Sequence, residues 1–110
     1  MGKPSLENNR NYTFYADLDA ALPGSDVILT DSLLADRRNE SYLHRYQITL
    51  ERMRKANEQA LLNPCPPFYR NEEVSIDAIA SEYFVGYDFK KVLITVQQAV
   101  LLYCSGITSI

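Results

Sequence analysis

The chain has 110 residues, of which 46% are hydrophobic. This length and composition predict one domain near the lower end of the usual size range, with enough apolar side chains for a packed core. The 11 Lys and Arg residues against 14 Asp and Glu residues give a formal net charge of -3 without a basic stripe, so binding to nucleic acid is not expected.

The beginning of the chain is polar and then turns into short helix and strand patterns. Residues 1–11 contain no apolar stretch typical of a signal peptide and are predicted to be a disordered leader before a domain at residues 12–110. Tyr12–Tyr15 is aromatic and β-branched, which predicts a short strand. Asp17 is expected to cap a short helix, which Pro23-Gly24 then ends.

The middle of the chain contains the first strongly apolar strand pattern. Asp26–Thr30 carries large apolar residues between turn signals, which predicts a parallel strand that is buried on both faces. A polar stretch follows, with an exposed loop around Arg37–Glu40 that leads into a short helix ending near Tyr46. Thr49 is a plausible N-cap for a helix over Leu50–Asn57.

The second half continues the alternation of strands and helices. Ala60–Asn63 is predicted to be a strand, and Ser75 is predicted to cap a helix over Ile76–Ala80. Tyr83–Tyr87 is expected to be the last strand, and a helix over about Lys91–Tyr103 closes the pattern. Such alternation predicts an α/β fold in which about three to four parallel strands form a sheet with flanking helices.

A thiol and a proline pair stand at the end of the second apolar strand. Cys65, Pro66 and Pro67 follow that strand directly, which places them at its carboxyl end. Ligands of open α/β sheets bind at the carboxyl ends of the strands. The sequence therefore predicts a ligand site at this edge of the sheet.

Four segments of the chain, taken in order, resemble the aspartate/ornithine carbamoyltransferases. They are Leu18–Asp31, Tyr46–Thr49, Cys65–Pro67 with Arg70–Ser75, and Asp88 with Gln97–Leu101. The resemblance covers roughly residues 12–104 and implies part of the second, amino-acid-binding domain of that family, with a doubly wound, Rossmann-like sheet. It also implies that an amino-acid substrate is contacted by Asp31, Cys65, Pro66 and Pro67.

Each of these implied contacts has a purely structural alternative. Asp31 either accepts a hydrogen bond from a substrate ammonium group or is a solvated turn residue. Cys65 is either a substrate contact or a small buried apolar residue. The Pro66-Pro67 bond is either cis, as the resemblance implies, or part of a rigid turn.

The chain departs from the pattern of the family in three places. The Ser-Met-Gly motif of ornithine-type enzymes falls on Ala35–Arg37, the histidine before the cysteine falls on Pro64, and the arginine that reaches carbamoyl phosphate falls on Leu93. The resemblance also leaves out the phosphate-binding first domain. We therefore expect no catalytic residue and no carbamoyl transfer by the chain alone.

Two alternatives to a non-catalytic fragment remain open. In the first, the chain is one piece of a split or truncated carbamoyltransferase, which transfers a carbamoyl group from carbamoyl phosphate to an amine of an amino acid. In the second, it is a small-molecule binding or interaction module. The upstream coding sequence would distinguish the first alternative by the presence of a phosphate-binding domain.

The remaining features concern the cell compartment and partners. Cys65 and Cys104 lie far apart and, with His44, have no metal-ligand spacing, so we expect cytoplasmic thiols, no metal site and no cofactor. The longest apolar stretch is too short to span a membrane. The helix predicted at 91–103 is apolar on most sides, and such a helix is normally buried on most sides. We therefore expect self-association or a partner chain.

Overall fold

A computed structural model describes residues 8–106, apart from the side chains of Asp88 and Phe89. Most of the predicted leader, residues 1–7, lies outside this range. The elements in chain order are helix α1 (Leu18–Ala21), strand β1 (Val27–Thr30), a 3-10 helix (Ala35–Arg37), helices α2 (Glu40–Tyr46) and α3 (Leu50–Met53), strand β2 (Leu61–Pro64), helix α4 (Ile76–Ile79), a second 3-10 helix (Asp88–Val92) and helix α5 (Leu93–Cys104).

The sheet consists of β1 and β2, which pair in parallel. Val27 lies opposite Leu61, and Thr30 lies opposite Pro64. The α/β class with a small parallel sheet and flanking helices is therefore confirmed. Among the described residues the sheet has two strands, fewer than the predicted three to four.

The segment predicted as the last strand joins the sheet at one point. Phe84 forms a parallel bridge with Leu62, whose amide donates to the Tyr83 carbonyl at 2.7 Å. The prediction of a strand over residues 83–87 was wrong, because Gly86, at a φ of +66°, turns the chain away from the sheet.

The predicted N-terminal strand is also absent. Tyr12–Tyr15 pairs with no described segment, and its Phe14 side chain is 76% exposed. Aromatic and β-branched residues favour a strand mainly through packing on a pleated, half-buried surface. In the structure this segment is not packed on such a surface, because Tyr12 and Tyr15 are exposed as well.

The core lies on one face of the sheet. Ile28 and Leu62 point into it and meet side chains from the helices and loops, among them Leu22, Ile48, Met53, Val74 and Ala78. On the other face, which we call the open face, Val27, Leu29 and Leu61 are 51%, 69% and 40% exposed. The prediction that β1 is buried on both faces was therefore wrong, since no described helix covers the open face.

Polar caps start the short helices where the sequence predicted them. The side chains of Asp17, Thr49 and Ser75 accept hydrogen bonds from the first turns of α1, α3 and α4. Helix α3 ends at Met53, earlier than predicted. Asn57, which was predicted to lie in this helix, instead contacts the start of β1, where its side chain donates to Asp26 Oδ1 at 2.6 Å.

The C-terminal helix α5 stands apart from the core. It contains no charged residue, and it packs mainly against the 3-10 helix that precedes it. Its apolar side chains are largely exposed, with Ile94 and Leu101 at 68% and 67%. The helix is therefore apolar on most sides, as predicted, but no other described element covers these sides.

Candidate functional site

The carboxyl ends of β1 and β2 bring the predicted site residues to one edge of the sheet. Because Thr30 lies opposite Pro64, the next residues, Asp31 and Cys65, leave the two strands side by side. The Cys65 amide donates to the Thr30 carbonyl at 3.0 Å. Asp31, Cys65, Pro66 and Pro67 are all exposed, so the predicted set lies together and faces solvent.

Two loops carry these residues. We call Asp31–Leu34 the β1 loop and Cys65–Tyr69 the β2 loop. The hydroxyl of Ser32 in the β1 loop donates to the Pro67 carbonyl at 2.7 Å, which links the loops directly. The Pro66-Pro67 bond is cis, one of the two geometries that the sequence left open.

The individual side chains now have definite surroundings. Asp31 accepts from the Ser32 amide at 2.8 Å through Oδ1, so one oxygen closes the turn. Cys65 is an exposed free thiol, and its interpretation as a buried apolar residue was wrong. His44 lies in a different place, because it lines a cavity of about 320 Å³ together with Asp19 and Lys55.

A buried carboxylate that the sequence did not single out connects both loops. Glu73 is 3% exposed. Its Oε1 accepts from the Leu33 amide at 3.1 Å, and its Oε2 accepts from the Tyr69 amide at 2.8 Å. Burial raises the pKa of Glu73, but the hydrogen bonds from Tyr69 and Leu33 and the charge of Arg38 outweigh it, and the pKa lies below its ordinary value.

Arg38 is bound to the same structure. Its Nε donates to the Leu33 carbonyl at 3.2 Å, and its guanidinium lies 4.2 Å from the centre of the Tyr69 ring. It also pairs with Glu72 at 3.4 Å and with Glu73 at 3.7 Å. The exposed loop predicted around Arg37–Glu40 agrees with Arg37, which is exposed, but not with Arg38, whose side chain is 27% exposed and held by these contacts.

The signal for this cluster was present in the sequence. The pair Glu72-Glu73 stands in one of the segments that carry the resemblance, and Arg38 offers an opposite charge. Their separation along the chain hid the contact, which forms only when the two loops meet. The turn before the pair is set by Asn71 at a φ of +63°, a left-handed conformation that asparagine tolerates better than most residues.

Two of the departures from the family pattern, Pro64 and Leu93, have no side chain that can bind an anion. Ala35–Arg37 forms a 3-10 helix, Pro64 is buried at the end of β2, and Leu93 begins α5 half-exposed. A different cation lies close by, since Lys90 Nζ donates to Asn63 Oδ1 at 2.5 Å. The side chain of Asp88, which is part of the resemblance, is outside the described residues.

The remaining features of the described range lie away from this edge of the sheet or concern metal and membrane binding. A cavity of about 440 Å³ lies at the amino end of β2, lined in part by Glu58 and Glu82, and so at the opposite end of the strand from Cys65. Within residues 8–106, no group of His, Cys, Asp or Glu is arranged to hold a metal ion. No described helix is long and apolar enough to cross a membrane.

Comparison with known proteins identifies the same family throughout. The family profile described as aspartate/ornithine carbamoyltransferase, Asp/Orn binding domain, matches residues 2–104. An ornithine carbamoyltransferase of Agrobacterium fabrum is 29% identical over 105 residues, which cover 91% of this chain and 34% of that protein. One from Nitrobacter winogradskyi is 34% identical over 95 residues, covering 82% and 31%. A putrescine carbamoyltransferase of Mycoplasma mycoides is 32% identical over 87 residues, covering 73% and 24%.

The solved structures agree in fold. Ornithine carbamoyltransferase from Thermus thermophilus matches 92% of this chain and 34% of its own, with a TM-score of 0.73 at 22% identity. This likeness confirms a partial Rossmann-like architecture. The chain spans about a third of the length of the ornithine carbamoyltransferases that it matches.

Proposed function

The chain belongs to the aspartate/ornithine carbamoyltransferase family, and we propose that it is the amino-acid-binding half of such an enzyme and does not catalyse carbamoyl transfer alone. The observation that carries the proposal is the meeting of Asp31 with Cys65, Pro66 and Pro67 at one exposed edge of the sheet. The site proposed for the substrate is the space above these residues, between the β1 loop and the β2 loop.

The ligand we propose is a primary amine. Asp31 uses only Oδ1 in a hydrogen bond to the chain, so Oδ2 is left to accept a hydrogen bond from an ammonium group. The relatives named above are ornithine and putrescine carbamoyltransferases, and both named compounds carry primary amines. An amino acid with an ammonium group on its side chain is therefore our first candidate, and a diamine is the second.

The absence of catalysis rests on missing donors. Carbamoyl transfer develops negative charge on the reacting oxygen and the leaving phosphate, which preorganised donors must stabilise. Leu93 and Pro64 have no side-chain donor where the family has arginine and histidine. Each lost donor of this kind costs about 2.7–4 kcal/mol of transition-state stabilisation, so together they reduce the rate by several orders of magnitude.

Amine binding by wild-type chain and by Asp31→Asn tests the proposal. Asparagine keeps an acceptor for the Ser32 amide but removes the charge, so affinity for L-ornithine or putrescine should fall about tenfold to a hundredfold. Asp36→Asn is the matched control, because Asp36 is an exposed carboxylate near the site whose ion pair is with Arg37. Titration calorimetry with both amines measures the effect.

The same samples test catalysis. With carbamoyl phosphate and either amine, the isolated chain should give no carbamoylated product above background. Product formation at an enzymatic rate would refute the non-catalytic part of the proposal. Binding that is equal in wild type and Asp31→Asn, or absent with both amines, would refute the amine site and leave an interaction module as the better interpretation.

A second proposal concerns association. Helix α5 is uncharged and exposed, and the open face of the sheet lacks a covering helix. Helices normally cover both faces of a parallel sheet. We propose that α5 of one copy lies on the open face of a second copy. In a two-fold dimer the contact is reciprocal, so the α5 of each copy covers the open face of the other. In the split-enzyme alternative, a phosphate-binding chain takes the place of the second copy.

The proposed compartment follows from the thiols. Cys65 and Cys104 form no disulfide, and reduced thiols are the usual state of cysteines in the reducing cytoplasm. We therefore propose a cytoplasmic location. Fractionation of the source cells with an antibody to the chain would test it, and recovery from a secreted or membrane fraction would contradict it.

A further inference from the structure

We propose that Glu73, held by Arg38, is a positioning residue that fixes the β1 loop against the β2 loop and so sets the spacing of Asp31 from Cys65. The inference deepens the proposed function, because it rests on that function for the ligand. The contacts that hold the loops together do not depend on that ligand.

The carboxylate of Glu73 has one oxygen for each loop. Oε1 accepts from the Leu33 amide in the β1 loop, and Oε2 accepts from the Tyr69 amide in the β2 loop, at 3.1 and 2.8 Å. Hydrogen bonds to an ionised acceptor are shorter and stronger than those between neutral groups. At 3% exposure the carboxylate is nearly shielded from water, which therefore competes little for these two amides.

Arg38 repeats the link with other groups of the same two residues. Its Nε donates to the Leu33 carbonyl, and its guanidinium stacks on the Tyr69 ring. Its Nη2 lies 3.7 Å from Glu73 Oε1 and supplies the opposite charge that a buried carboxylate requires. Glu73 and Arg38 thus each contact both loops.

The pair is anchored to the core through the backbone. The Glu73 carbonyl accepts from the Ile48 amide at 3.0 Å, and the next residue, Val74, is fully buried. A carboxylate on this fixed segment cannot follow either loop as it moves. The core therefore fixes the position of the Glu73 carboxylate, and both loops are held relative to it.

Glu73 is not proposed as a catalytic residue. Its buried oxygens face the two loop amides, and the exposed groups at the site are Asp31 and the Cys65–Pro67 turn. Its role is exerted through the residues that it positions. Removing its charge should therefore loosen the loops first and weaken amine binding as a consequence.

Amide hydrogen exchange on the full chain gives a direct test with Glu73→Gln. Glutamine keeps the shape, but its amide nitrogen faces one of the two donors and leaves that donor unsatisfied, while its neutral oxygen accepts more weakly from the other donor. Exchange at the Leu33 and Tyr69 amides should become about tenfold faster. The Leu62 amide, which donates to the Tyr83 carbonyl, should keep its rate. Glu82→Gln is the control, an exposed carboxylate at the opposite end of β2.

The outcomes separate this inference from the proposed function. Unchanged protection of Leu33 and Tyr69 in Glu73→Gln would overturn the inference whether or not any amine binds. Faster exchange at both amides, in a protein whose wild type binds neither L-ornithine nor putrescine, would support the inference about the loops and refute the amine site. Faster exchange together with at least about tenfold weaker amine binding supports both.

A measurement on wild type covers the case in which Glu73→Gln does not fold. Protonation of the carboxylate on acidification should move the Leu33 and Tyr69 amide resonances together, with one midpoint. Arg38 and Glu72 are the charged groups beside it in the described part of the chain, and Arg38 keeps its charge at these pH values. Separate midpoints for the two amides, or movement of one amide resonance without the other, would overturn the inference.

Discussion

Two neighbouring leucines in β2 test the one-sided burial of the sheet. Successive side chains of a strand point to opposite faces, so Leu62 and Leu61 sample the two faces at adjacent positions. Leu62 is 0% exposed in the core, whereas Leu61 is 40% exposed on the open face. Leu62→Ala and Leu61→Ala delete the same atoms and change the strand propensity equally, so the difference between them reports burial.

The expected magnitudes follow from these positions. A Leu→Ala change in a packed core costs about 2–5 kcal/mol, because the lost transfer free energy adds to the cost of the cavity. We expect Leu62→Ala to fall in this range. At Leu61 no closed cavity forms, and partial exposure reduces the transfer contribution of about 0.8 kcal/mol per carbon to about 1 kcal/mol in total. The difference should be about 2 kcal/mol, a large part of a stability of about 5–15 kcal/mol.

Urea unfolding followed by far-UV circular dichroism measures both variants, at a protein concentration low enough to keep the chain monomeric. The unfolding midpoint should fall clearly for Leu62→Ala and only slightly for Leu61→Ala, with the same denaturant dependence. Equal destabilisation would refute the reasoning, because it would mean that the open face is covered. A cost below about 1 kcal/mol for Leu62→Ala would place Leu62 outside a well-packed core.

Two further predictions concern charge and association. Hydrogen bonds from Arg52, and next from Lys55, lower the pKa of Asp19. The ionised carboxylate therefore stabilises the fold above its unfolded pKa of about 3.9. This contribution is lost as the pH falls through the lower pKa of the folded state. Asp19→Asn should therefore flatten the acid side of the stability profile, and an unchanged profile would contradict the ion pair. For association, light scattering should show a dimer in the wild type. The double variant Val96→Glu/Val100→Glu should abolish the dimer. The control Thr95→Glu, on another face of α5, should largely preserve it. A wild-type chain that is strictly monomeric at high concentration would refute the α5 contact.

Local chemistry made several parts of the fold predictable. The caps at Asp17, Thr49 and Ser75 depend on a side-chain oxygen and the amides two or three residues further on, so the sequence alone identifies them. The adjacency of Asp31 and Cys65 was predictable for a related reason, since parallel neighbouring strands end at the same edge. The resemblance supplied the site residues and the partial Rossmann-like class, and the profile match and structural likeness confirm the family and the fold.

The failures were those that depend on distant neighbours. Tyr12–Tyr15 has the composition of a strand, but it pairs with no described segment, although β1 has a partner on one edge only. Asp26–Thr30 has the apolar run of a strand that is covered twice, yet only one face is covered. In both cases the local sequence indicates a preference for strand pairing or for burial. Whether another segment pairs with the strand or covers it depends on residues far away in the chain.

The sequence by itself determined the local turns and caps, the α/β alternation, the family and the edge at which Asp31 and Cys65 lie. Only the tertiary structure decided that Glu73 and Arg38 bind both loops, that the open face is uncovered and that α5 stands away from the core. The physical reason is range. Caps and strand ends are fixed by groups a few residues apart, whereas a buried carboxylate acquires its partners only when segments some 40 positions apart, as Leu33 and Glu73 are, come within hydrogen-bond distance.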